Sequence, residues 1–161
     1  MENPSDSPQD LALLPGHLIR RLQQIAVAIF LEDTAGFGIT PVQYAALRWL
    51  GNSPGIDQRT LAGKIGLDTS TLGGVVDRLE SRGLLVRQPS ESDRRVKQLA
   101  LTPQGHQLLT DMAPHLQASQ DRILAPLPPK KQAQFLAMLA ELVDKNNVLS
   151  RAPIPKESSE D

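Results

Sequence analysis

The sequence contains no cysteine. This excludes a disulfide scaffold, a thiolate nucleophile, Cys-ligated zinc and any switch that works by thiol oxidation. Imidazole is scarce as well: a hydrolytic or metal site would have to be assembled from His17, His106 and His115, which lie far apart along the 161 residues. The chain also lacks a long apolar run. Its longest, Ile25 to Leu31, is far below the roughly 20 residues of a membrane span, and the acidic start at Glu2, Asp6 and Asp10 lacks a signal peptide's basic region. Gly63-Lys64 is not preceded by the spacing of a phosphate loop, and neither HExxH nor GxSxG occurs. Glu91 and Asp93 fall in a polar loop rather than facing each other as acid and base in a cleft. These absences predict a cytoplasmic protein with no enzymatic activity, no metal and no cofactor.

What is present is an ordinary globular composition, 40% hydrophobic and 22% charged. At about 100 to 200 residues per domain, the length supports one core. The net charge of -1 hides an uneven distribution: the ends are acidic and the middle is basic. Between positions 78 and 97, the cations Arg78, Arg82, Arg87, Arg94, Arg95 and Lys97 stand against only Glu80, Glu91 and Asp93. Such a local basic patch is the electrostatic footprint of nucleic-acid binding, whatever the overall sum.

Residues 1–10 and 151–161 have the polar, proline-punctuated composition of disordered tails. Between them, Leu14, Leu18, Leu22, Ile25 and Ile29 recur at helical spacing up to Gly36 and Gly38. Thr40-Pro41 is a cap followed by proline, opening a short helix through Tyr44, Leu47 and Leu50 that Gly51 and Pro54 stop. Two helices follow, about 58–65 and 69–82, joined through Gly66, Leu67 and Asp68. Their apolar residues form one small core if the helices cross steeply, which is the helix-turn-helix arrangement. After Gly83 the pattern becomes extended at Leu84, Leu85 and Val86, passes a polar loop, and resumes from Val96 to Leu101 as a β-hairpin with a charged tip. Thr102-Pro103 opens a long helix that Pro114 is expected to kink, and a last helix carries Phe135, Leu136, Leu139, Leu142 and Val143. The fold predicted is mainly α: a winged helix-turn-helix over about 40–103, flanked by helices at about 11–35 and 103–148, within a single unit spanning 11–150.

In such a fold the second helix of the pair enters the major groove, about 12 Å wide, and presents Thr69, Ser70 and Thr71. Gln58, Arg59 and Thr60 open the preceding helix and are candidate phosphate donors, as are Arg78 and Arg82, one turn apart, unless these merely form a solvated face. Gly73 and Gly74 cost helix stability, about 1 kcal/mol each, for which either close approach of DNA or tight helix packing is a reason. At the hairpin tip, Asp93, Arg94, Arg95 and Lys97 suit a minor groove, with Asp93 expected to hold one arginine side chain by a bidentate pair. A charged hairpin tip alone is usually a solvated turn; its place directly after the helix pair favours DNA.

The stretch from Ile39 to Gly105 resembles the MarR family of bacterial transcription regulators. The resemblance lies in the Thr-Pro helix start, Asp68-Thr69-Ser70-Thr71 at the recognition helix, Val76 to Leu84 at its exit, Asp93-Arg94-Arg95 at the wing and Leu101-Thr102 before the next helix. It implies a homodimer, interleaved through its first, fifth and sixth helices, that sets two winged helices in successive major grooves of a pseudo-palindromic double-stranded DNA operator. The residues agree: the first and last helices carry more apolar surface than a small winged core covers. The family's wing arginine falls on Arg95 and its acidic companion on Asp93.

The resemblance further implies a small aromatic effector, a free carboxylate or its coenzyme A thioester, in a crevice between the dimer helices and the DNA-binding lobe, and a repressor of aromatic-compound catabolism. Candidate ligand residues are His17, Arg20, Arg21 and Gln24 from the first helix, Tyr44 and Trp49 from the second, and Met112 and His115 from the fifth. Lone histidines and an Arg-Arg pair at a helix end are more often surface or interface groups. The rival to a DNA-binding repressor is a winged-helix module for protein contact, which should be richer in exposed aromatic anchors.

Overall fold

Among the described residues, hydroxyl or carboxylate caps start four of the six α-helices. The computed structural model describes residues 11–90 and 92–155; the expected tails over 1–10 and 156–161, and Glu91 at the wing tip, lie outside them. The elements in order are α1 (Pro15–Asp33), α2 (Pro41–Asn52), β1 (Ile56–Asp57), α3 (Gln58–Ile65), α4 (Thr69–Ser81), β2 (Leu85–Pro89), β3 (Lys97–Leu101), α5 (Pro103–Leu124) and α6 (Pro129–Asn146). At α2, Thr40 Oγ1 accepts from the Gln43 N–H (3.3 Å) and Gln43 Oε1 accepts from the Thr40 N–H (3.0 Å), a reciprocal cap. Asp57 caps α3 by accepting from the Thr60 N–H at 2.7 Å. Thr102 caps α5 through the Gly105 N–H (3.0 Å) while donating its own hydroxyl to the Gly83 carbonyl (2.6 Å). One side chain thus starts a helix and anchors it to the turn after α4.

α3 ends at Gly66, whose φ of 69° is the left-handed conformation that favours glycine, and α4 starts three residues later. The chain therefore reverses quickly enough for Leu61 and Ala62 to meet Leu72, Val76 and Leu79, all buried. Leu47, Leu50, Leu84, Leu85 and Leu99 complete this core, and Phe30, Ile39 and Met112 attach the end of α1 and the middle of α5 to it. The three strands are antiparallel in the order β1-β3-β2, with Leu85 opposite Leu101 and Ile56 opposite Leu99. The hairpin is as expected; β1 is an addition, since two residues are too few to display alternation.

Other departures are local. α2 runs one residue past Gly51, because that glycine lies inside the helix where a Cβ would stand 3.2 Å from Leu109. α5 continues through Pro114. Part of the tail expected over 151–161 is held to the helix before it: the Asn147 side chain accepts from the Ile154 N–H (2.9 Å) and donates to the Ile154 carbonyl (2.7 Å). Ile154 and Pro155 then rest against Gly66 and Gly63. The C-terminal end of α1 is pinned to α5, where Arg122 pairs with Asp33 and Glu32 and Ser119 donates to Asp33 at 3.0 Å. Those carboxylates raise the Arg122 pKa. Among the described residues, none in α6 is buried, and Leu18, Ile19 and Ile25 of α1 are exposed together with Leu136, Leu142 and Val143 of α6. No described helix is long and apolar enough to cross a membrane.

Candidate nucleic-acid interface and ligand cleft

The first turn of α4 is organised by Asp68. Its carboxylate accepts from the Thr71 hydroxyl at 2.6 Å and from the Thr71 N–H at 2.8 Å, and these bonds hold its pKa below the ordinary 3.8. The Thr71 hydroxyl proton is thereby committed to the cap, which removes Thr71 as a donor to DNA; its oxygen can still accept. Thr69 and Ser70 are exposed beside it. Gln58, expected to reach phosphate, instead leans on the recognition helix, its amide 3.5 Å from the Thr69 carbonyl and close beside Gly73. Arg59 and Thr60 remain exposed at the start of α3.

Arg78 and Arg82 are both exposed, but the Arg82 side chain is engaged within the fold. Its guanidinium donates to the carbonyls of Gly38 (2.6 Å) and Phe37 (2.8 Å) in the turn after α1. Arg87, on β2, is likewise engaged, pairing with Asp77 and Glu80 of α4. Partial burial works against its charge, yet the two carboxylates prevail and its pKa is raised. The two glycines of α4 separate: Gly73 faces Gln58, a packing contact, whereas a Cβ on Gly74 would meet nothing within 4 Å.

At the wing tip, Arg94, Arg95 and Lys97 are exposed together. Asp93 does not hold an arginine side chain; its Oδ1 accepts from the Arg95 backbone N–H at 3.0 Å, which shapes the loop and leaves both guanidinium groups projecting. Ser90 donates its N–H to the Val96 carbonyl (2.9 Å) and closes the loop base.

The ligand candidates do not gather in one place. A cleft of about 390 Å³ lies between α2 and α5, lined by Tyr44 and Arg48 from the first and by Leu109, Leu116, Gln117 and Gln120 from the second. Tyr44 is the expected residue that lines it. Trp49 lies five positions further along α2, turned away, with the Lys64 ammonium 5.4 Å from its ring. Met112 is fully buried in the core, and His115 packs edge-on against Phe37 with ring centres 5.2 Å apart. His17 is 3.3 Å from Arg20, and Arg21 donates to Gln24 at 3.0 Å, all four on the first half of α1 outside the cleft lining. Sequence reasoning missed Arg48, although its place one turn after Tyr44 puts both on one helix face. The cleft therefore offers an aromatic ring, a guanidinium and two amides over an apolar floor, a set suited to a flat anion.

The MarR family model matches residues 39–97. A protein described as a putative transcriptional regulatory protein for the hcr operon of Thauera aromatica is 33% identical over 128 residues, 79% of this chain and 77% of that one. The PcaV transcriptional regulator from Streptomyces coelicolor, solved in complex with its natural ligand, is 36% identical with a TM-score of 0.77, over 86% of this chain and 97% of that one. The repressor CouR, solved bound to a 23-mer DNA duplex, is 31% identical with a TM-score of 0.80, over 85% of this chain and 97% of that one. CouR from Rhodococcus jostii RHA1 has also been solved bound to p-coumaroyl-CoA, at 30% identity and a TM-score of 0.72 over 83% and 94% of the two chains.

Proposed function

This chain belongs to the MarR family of DNA-binding transcription regulators, and on that premise we propose that it is a cytoplasmic, homodimeric repressor of aromatic-compound catabolism, released from its operator by a small aromatic carboxylate or the corresponding coenzyme A thioester. Residues 11–150 act as one unit, in which the winged helix reads DNA and α1, α5 and α6 pair with a second copy. The observation that carries the reading is the contrast among the cations of the lobe. Arg82, though exposed, and the half-buried Arg87 are bonded to other parts of the fold, whereas the exposed side chains of Arg59, Arg78, Arg94, Arg95 and Lys97 lie with those of Thr69 and Ser70 on the surface. Exposed cations flanking a helix start that carries short polar side chains suit phosphates and base edges.

The second copy is supported by the apolar residues that α1 and α6 leave uncovered. A fully buried Leu or Ile contributes about 1.5–3 kcal/mol, so a row of them left in water favours association. The effector reading is supported by the α2–α5 cleft, where Arg48 can pair with a carboxylate and Tyr44 can flank a ring. A 100-fold loss of operator affinity requires a coupling of about 2.7 kcal/mol between effector and DNA. The CouR structure with p-coumaroyl-CoA supports aromatic chemistry of this kind, and PcaV in complex with its natural ligand supports a regulator that binds a ligand.

Fluorescence anisotropy on the DNA upstream of its own gene, at two salt concentrations and with a panel of aromatic acids and their coenzyme A thioesters, tests the proposal. Tight, salt-sensitive binding that one compound releases is expected. Arg48→Ala should abolish that release while leaving operator affinity within about twofold of wild type. Binding that no compound releases would overturn the effector claim, and failure to bind any operator would favour a protein-contact module instead.

A further inference from the structure

The Arg82 side chain joins the residue that caps the end of α4 to carbonyls 44 and 45 residues earlier in the chain. We infer that Arg82 is a positioning residue: it fastens the C-terminal end of the recognition helix to the turn after α1, and so sets the angle at which the first turn of α4 meets the base pairs. This rests on the reading of α4 as the operator-reading helix.

The geometry is that of a clasp. Two guanidinium nitrogens donate to two successive carbonyls, at 2.8 Å to Phe37 and 2.6 Å to Gly38. That fork is a match for arginine's rigid planar head and not for a lysine ammonium. The receiving turn is itself held. Gly38 sits at φ 60°, where a side chain would be strained, so both carbonyls point along a defined direction. Phe37 rests edge-on against His115 of α5, and the neighbouring Ile39 is buried in the core. The clasp therefore ties α4 to the frame of α1 and α5 from one side, while Arg87 ties it to the sheet from the other.

Leverage makes this position effective. Ser70 lies twelve residues from Arg82, about 18 Å along a helix rising 1.5 Å per residue. A tilt of about 3° at the clasped end displaces the reading end by about 1 Å, beyond the roughly 0.5 Å that a precise polar site tolerates. Loss of the clasp should therefore harm sequence reading more than general attraction to DNA. A phosphate contact would behave differently: its loss weakens all sequences alike and lowers the salt slope by about one.

The test compares full-length proteins on two duplexes, the one that wild type selects from a random-sequence pool and a scrambled version of it. Arg82→Ala is expected to bind the selected duplex about tenfold more weakly, with affinity for the scrambled duplex and the slope of log K against log salt both unchanged. A uniform loss on both duplexes with a slope reduced by about one, or affinity within twofold of wild type, would overturn the inference. Should the alanine variant lose its melting transition, Arg82→Gln, which keeps an amide donor for one carbonyl, is judged by the same readings. Ser70→Ala separates the two claims. If it loses selected-duplex affinity while Arg82→Ala does not, α4 remains the reading helix and only the clasp falls. If Ser70→Ala keeps full affinity and selectivity, or wild type selects no sequence, the reading of α4 falls and the clasp with it.

Discussion

Two aspartates of similar sequence setting do different work at the residue scale. Asp68 precedes a helix, so its carboxylate meets N–H groups that have no helical partner, and it accepts from both the backbone and the hydroxyl of Thr71. Asp93 lies in a tight loop, where its carboxylate accepts from the Arg95 N–H and its carbonyl from the Val96 N–H. Because the folded pKa of Asp68 is lowered, its contribution to stability is present above the ordinary 3.8 and is lost as pH falls through the folded value. Asp68→Ala should therefore melt at a lower temperature than wild type at neutral pH, and the gap should close as thermal scans are taken below pH 3.8. Arg95→Ala removes an exposed side chain and keeps the backbone N–H that Asp93 accepts, so it should leave the melting curve unchanged. Its operator affinity should fall about five- to tenfold, roughly the lower half of the range for losing one specific contact; unchanged affinity would remove Arg95 from the interface.

Glycines inside helices show how an element inherits its constraints from its neighbours. At Gly105, in the first turn of α5, a Cβ would stand 2.1 Å from the Leu84 carbonyl oxygen, so the helix can dock on the turn before β2 only without a side chain there. Gly105→Ala should destabilise by at least about 1–3 kcal/mol in urea titrations, the usual cost of overpacking. Gly74 has open space instead, so Gly74→Ala should raise stability by about 1 kcal/mol through helix propensity alone. If DNA approaches α4 closely at this position, the same variant should bind its operator more weakly; equal affinity would leave the glycine without a role at the interface. The sequence spacing of both glycines is helical, and nothing local distinguishes the one that is packed from the one that is free.

The whole molecule is unevenly covered. The winged lobe closes over its own leucines, while α1, α5 and α6 enclose an apolar groove of about 280 Å³ in which Ile19, Leu22, Phe135, Leu136 and Leu139 line the walls. Leu136 is 51% exposed, a large apolar side chain left in water by the single chain. If the proposed second copy docks on this groove, Leu136→Asp should sediment as a monomer where wild type sediments as a dimer, with operator affinity falling at least tenfold because one copy holds a single half-site. A dimeric variant with wild-type affinity would place the pairing surface elsewhere.

Patterns confined to neighbouring residues were determined by the sequence alone: the caps at Thr40 and Thr102, the helix-turn-helix over 58–82, the hairpin with its cationic tip, and the unsatisfied apolar faces of the first and last helices. Each follows from periodicity or from a short-range bond between residues three or four apart, so one stretch of chain carries the whole signal. What only the tertiary structure decided is which of the many exposed-looking polar residues were already engaged. Arg82, Arg87 and Gln58 read as a basic and polar DNA face, yet each spends its donors on a distant or adjacent element. Tyr44 gained Arg48, Gln117 and Gln120 as cleft partners, while Trp49 and Met112 went to packing. The physical reason is common to the three donors: a guanidinium or amide can bond to water, phosphate, a carboxylate or a backbone carbonyl almost equally well, and only the folded chain brings one of those acceptors within 3.5 Å.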